Sequence, residues 1–142
     1  MQQYLAGAIF VMQPDKKENG ERQPVILFAD DNPACLDIGI RMLHKLGYKV
    51  LDAIDGQEAI EVFLDNQSEV NLVILDMRMP YNGGTTFFQL KKINANVKVL
   101  IASGYEKDQQ VKEMMEQGCS GFIQKPYSIN ALSQKIMNIL ND

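Results

Sequence analysis

The sequence predicts an α/β fold: a five-stranded parallel sheet wound on both faces by helices, a doubly wound (βα)5 sandwich. Three observations carry this. Short runs of strand-forming residues alternate five times with stretches of helical periodicity. The central run, "LVILD", is continuously apolar, as a strand is when both faces of its sheet are covered. Polar residues with chemical capability stand at the ends of the runs, on the edge where open α/β sheets bind ligands.

The elements follow in order. "QPDKKENGERQP", Gln13 to Pro24, has linker composition and no pattern that buries a face. It divides the chain into an N-terminal segment and polar linker, 1–23, and one domain, 24–142. "YLAGAIFVM", Tyr4 to Met12, lacks a basic stretch before it and a small-residue cleavage site after it, so it is not read as a signal peptide. "PVILFADD" (24–31) is the first strand. The helix after it carries Cys35, Ile38, Gly39, Met42, Leu43 and Leu46 as its inward face, with Pro33 in the first turn and Gly47 at the stop. That face leaves Leu36 and Ile40 outside the core stripe.

"KVLDAID" is the second strand. Asp55 caps a helix with Glu58 three residues on, ahead of Ala59, Ile60 and Phe63. "LVILD" is the third strand and "TTFFQLKKI" a short helix. "VKVLIAS" is the fourth strand, followed by a helix marked by Val111, Met114 and Met115. "GFIQK" is the fifth strand, and Ser128 caps a last helix with Ile129, Leu132, Ile136 and Leu140 inward.

Composition bounds the function. A chain of 142 residues, 46% hydrophobic and 23% charged, suits one globular domain. A net charge of −4 speaks against nucleic acid or an anionic membrane as partner. No stretch reaches the ~20 apolar residues of a membrane helix. Cys35 and Cys119 have no metal or redox spacing and read as reduced core residues of a cytoplasmic protein. His44, the one histidine, reads as a surface residue, and the eight methionines as core fill.

The strand ends carry Asp30 and Asp31, Asp76, Ser103 and Lys125. Three carboxylates converging on one edge stay ionised only beside cations. Lys125 supplies one, and a hard divalent ion, Mg2+, suits the oxygen-rich remainder. Such a pocket accommodates a phosphoryl group, and a carboxylate within it is able to act as nucleophile and form an aspartyl-phosphate.

"FADDN", "VILDMRMP", "LIASGY" and "FIQKPYS" resemble, in order and spacing, the signature stretches of the receiver domain of two-component response regulators. The resemblance covers residues 24–140 and implies a flavodoxin-like receiver fold. It implies that Asp76 is the phosphoacceptor, with Ser103 and Lys125 as its catalytic partners. Asp30, Asp31, Asp76 and the backbone carbonyl of Arg78 would hold Mg2+. Ser103 and Phe122 would form the switch pair, and Pro126 would follow a cis bond. A histidine kinase or phosphotransfer protein would be the donor, and the helix-4/strand-5 side a possible homodimer surface.

Further expectations concern this chain's own residues. Arg78 and Tyr105 are bulky and would slow loss of the phosphoryl group by screening it from water. Leu36 and Ile40, near Tyr127, would form an apolar docking ridge for a helical partner. "GFIQKPYSINAL" is similar to receivers attached to hybrid histidine kinases. The alternative is a pseudo-receiver that binds proteins without phosphorylation, against which the intact acidic set argues. A haloacid-dehalogenase-like phosphatase would need an aspartate two residues after the nucleophile, where Arg78 stands.

Overall fold

A computed structural model describes residues 23–79, 83–104 and 109–142. Five strands, β1 (Val25–Ala29), β2 (Lys49–Ala53), β3 (Val70–Asp76), β4 (Val99–Ser103) and β5 (Gly121–Gln124), alternate with five helices. These are α1 (Pro33–Lys45), α2 (Gly56–Asp65), α3 (Gly83–Ile93), α4 (Gln109–Glu116) and α5 (Ile129–Leu140). The strands form one parallel sheet in the order β2-β1-β3-β4-β5. The order reverses between β1 and β3, so their C-terminal ends flank the crevice where such sheets bind ligands.

Alternation along each strand sorts the core into two layers. Leu27, Ala29, Val73, Leu75, Val99 and Ile101 face Phe63 of α2, Phe87 and Leu90 of α3, and Val111 and Met114 of α4. Ile26, Phe28, Leu72, Ile74 and Leu100 face Leu36 and Leu43 of α1 and Leu132 and Ile136 of α5. β3 is buried from Leu72 to Asp76, which matches its unbroken apolar run. Each large apolar side chain enclosed in this way contributes about 1.5–3 kcal/mol.

Local sequence fixes the helix starts. The Asn32 side chain accepts from the backbone N–H of Ala34 at 2.9 Å and Cys35 at 3.1 Å, and Pro33 opens α1 where its missing donor costs nothing. Asp55 accepts from Glu58 N–H at 2.8 Å. The Glu58 carboxylate reaches back to Ile54 N–H, one residue before the cap. Ser128 caps α5 through Ala131 N–H at 3.0 Å. Gly47, at φ 96°, turns the chain into β2 in a conformation that favours glycine.

The structure corrects the inward face of α1. Leu36 is buried at 9% exposure and Ile40 packs partly against the α1/α5 layer, while Ile38 is 53% exposed and Cys35 half-buried. Two stripes at helical spacing overlap in this helix, both containing Gly39, Leu43 or Leu46. Contact with β1 selects between them. A Cβ at Gly39 would lie 2.3 Å from the Phe28 ring, so the glycine seats the helix there. Leu36 and Ile40 therefore do not form an exposed docking ridge. Met115 is likewise 43% exposed and not core fill. α3 begins two residues before the expected Thr85, and Ile139 joins the α5 core face where Leu140 is only partly buried. His44 is exposed, as expected.

Candidate functional site

The strand ends meet at one edge. Asp30 follows β1, where its N–H bonds the Ala53 carbonyl of β2 at 3.1 Å and fixes the turn. Its Oδ1 accepts from Asn32 N–H at 2.9 Å, and its Oδ2 from Lys125 Nζ at 2.9 Å. Asp76 closes β3; its Oδ1 accepts from Arg78 N–H at 3.3 Å and lies 3.3 Å from Lys125 Nζ. Lys125 is held against β4, since its N–H donates to the Ser103 carbonyl at 2.8 Å. One ammonium thus lies between two nearly inaccessible carboxylates, Asp30 at 1% and Asp76 at 6% exposure.

One carboxylate oxygen from each of Asp30, Asp31 and Asp76 lies within 4.8 Å of the others. They open into a cavity of about 420 Å3, which Asn32, Cys35, Arg78 and Gly104 also line. Burial pushes the Asp76 carboxyl above its ordinary value; the Lys125 charge and the Arg78 N–H pull down, and Asp30 adds to the rise. Burial also works against the Lys125 charge, yet its bond to Asp30 and the charges of both carboxylates outweigh that and raise it. Burial raises the Tyr127 phenol to about 12.

The donor set fits Mg2+. It offers oxygens alone, two of its carboxylates are buried, Asp31 is exposed, and the adjoining space leaves room for water ligands. Three carboxylates against Lys125 and Arg78 still leave an excess of negative charge, which a divalent ion would offset.

Asp30, Asp31, Asp76, Arg78 and Lys125 come together as the sequence suggests. Ser103 ends β4 beside them, 2% exposed, with Gln124 of β5 as its register partner. Phe122 pairs with Ile101 and packs half-buried on the α2/α3/α4 layer, the side of the sheet that the alternation also gives to Ser103. The Lys125–Pro126 bond is cis. Tyr127 is half-buried against the α1/α5 layer and adds nothing to a protruding ridge. Pro80 and Tyr105 lie outside the described residues.

Sequence reasoning missed Asn32 and Cys35 as pocket residues. The signal for Asn32 was its place as a cap before Pro33. Cys35 falls on the apolar stripe that periodicity predicts for α1, one position from the face that packs on β1. Gly104 carries no side-chain chemistry to notice.

The model of the response regulator receiver domain family matches residues 26–137. The chain is 31% identical over 116 residues to the sensor kinase CckA of Brucella abortus, covering 81% of this chain and 12% of that protein. It is 30% identical over 127 residues to the chemotaxis protein CheY of Treponema pallidum, covering 88% of each. The chain spans about an eighth of the sensor kinases it matches. Among solved structures, the CheX-CheY-BeF3-Mg2+ complex from Borrelia burgdorferi aligns with a TM-score of 0.78 at 26% identity, covering 82% of this chain and 88% of that one.

Proposed function

The chain belongs to the response regulator receiver domain family, and from that premise we propose that it accepts a phosphoryl group from a phosphohistidine onto Asp76. One observation carries the reading: Asp76 ends the central strand at the cavity, with the Lys125 ammonium 3.3 Å from its Oδ1. Members of the family work with histidine kinases and phosphotransfer proteins.

In the proposed step an Asp76 carboxylate oxygen attacks phosphorus, the new O–P bond forms as the N–P bond breaks, and the electron pair leaves on the donor imidazole. Lys125 neutralises the oxygens that carry the transferred charge, keeping its hold on Asp30 as Asp76 is modified. Ser103 donates its hydroxyl to a phosphoryl oxygen. When bound by Asp30, Asp31, Asp76 and the Arg78 carbonyl, Mg2+ supplies further neutralisation of those oxygens. Phe122 has no polar group, so its inward turn follows from apolar burial once Ser103 moves. The helix-4/strand-5 side is the candidate homodimer surface by family resemblance, and α4 carries the exposed Met115. The similarity to a sensor kinase supports a place for this domain in a hybrid histidine kinase. No helix among the described residues is long and apolar enough to cross a membrane.

Label transfer from a phosphohistidine phosphotransfer protein tests the function. The parent protein should take up label, Lys125→Ala should do so about a hundredfold more slowly, and Asp76→Asn should take none. Equal uptake by Asp76→Asn would remove Asp76 as acceptor.

A further inference from the structure

We propose that Gly83 is a positioning residue: the missing side chain lets the first turn of α3 pack on the peptide after Asp76 and so aims the phosphoacceptor. The inference rests on the phosphoacceptor reading of Asp76 and extends it to a residue outside the acidic pocket.

A Cβ at Gly83 would lie 2.6 Å from the Asp76 carbonyl oxygen and 3.0 Å from Met77 Cα. Both are backbone atoms, so no flexible side chain is there to swing aside, and either α3 or the peptide must move. The position is buried, and the Gly83 N–H points back to the Met77 carbonyl at 3.4 Å. β4 grips the same short segment from its other side, where Met77 N–H donates to the Ala102 carbonyl at 3.0 Å. The peptide after Asp76 is therefore clamped between a strand and the bare start of a helix.

Two functional groups leave that clamp. The Asp76 side chain projects from its first residue, and its Oδ1 is held by the N–H of Arg78, two residues on. The carbonyl expected to face Mg2+ belongs to Arg78 itself. Displacing the segment by a few tenths of an ångström would alter both groups together while leaving Asp30, Asp31 and Lys125 in place. This separates Gly83 from Gly39, where the close neighbour is the Phe28 side chain in the core.

The test compares Gly83→Ala with Ile139→Ala, a cavity variant at the far end of α5 that lowers stability through the core alone. Both are measured below their melting transitions, with trimethylamine N-oxide to hold either variant folded if required. The first readout needs no metal: the Arg78 amide resonance in two-dimensional NMR should shift in Gly83→Ala and stay in Ile139→Ala. The second is Mg2+ binding by calorimetry, which should weaken about tenfold in Gly83→Ala only. Parent-like Arg78 resonance and Mg2+ affinity in Gly83→Ala would overturn the proposal, as would equal changes in both variants. Failure of the parent to accept phosphate from both a phosphohistidine phosphotransfer protein and acetyl phosphate would instead defeat the phosphoacceptor reading, with the Gly83 readouts still standing on their own.

Discussion

At the scale of single residues the site is a balance struck at Asp76. Burial raises its proton affinity more than Lys125 and the Arg78 N–H lower it. The folded carboxyl therefore titrates above its unfolded value of 3.8. Between those two values the folded state binds more protons, so stability falls as pH rises through that window and stays reduced above it. Lys125 shifts the same way, but in its case the rise favours the charged form. Its folded value is raised, so its contribution is complete below 10.5 and is lost as pH rises through the folded value. The prediction is that Asp76→Asn, uncharged and of like size, melts higher than the parent at pH 7 without Mg2+. A gain of about 4 °C would correspond to ~1 kcal/mol. Melting followed by circular dichroism should show the gap closing as pH falls toward 4. An equal or lower melting point at pH 7 would mean that the Lys125 ion pair outweighs burial.

At the scale of elements, what the sequence made legible depended on how many patterns a stretch could satisfy. β3 has only one reading, since its apolar run admits no amphipathic alternative. α2 and α5 carry caps, at Asp55 and Ser128, that fix where their faces begin. α1 has a cap too, at Asn32, but its apolar residues form overlapping stripes, and Gly39 against Phe28 decides between them. That contact is long-range and has no local signature, so local pattern does not place Leu36 and Ile40 toward the core or Cys35 at the pocket. On α1 a docking contact falls to Ile38 instead. It is exposed and stands three residues, about one turn, beyond Cys35, which lines the cavity. Ile38→Ser should slow transfer from a phosphohistidine protein about tenfold, the scale of losing one apolar interface contact. It should leave the rate with acetyl phosphate unchanged. Equal slowing with both donors would place the fault in the site, and no slowing with either would remove Ile38 from the docking surface.

At the scale of the whole molecule, sheet order converts dispersed residues into one site. Asp30 and Lys125 are 95 positions apart and meet at 2.9 Å because the C-terminal ends of β1 and β5 lie on one edge of the sheet, and the long lysine side chain spans the ends of β4 and β3 between them. The alternation of elements made the fold legible, and the parallel sheet then required its C-terminal ends to converge. The same logic foretold the acidic cluster and the lysine, whose chemistry is specific to residue type. It could not foretell the sharing of Lys125 between Asp30 and Asp76, which depends on side-chain geometry. Nor could it foretell the pressure of Gly83 on the strand end, which depends on an absent atom.

Intact mass after incubation with acetyl phosphate, with and without Mg2+, beside Asp76→Asn, decides whether Asp76 is a phosphoacceptor. The parent should gain one phosphoryl group with Mg2+, and none should appear without the metal or in the variant. A phosphoryl gain that persists in Asp76→Asn, or no gain in a parent shown to bind Mg2+, would contradict that role for Asp76.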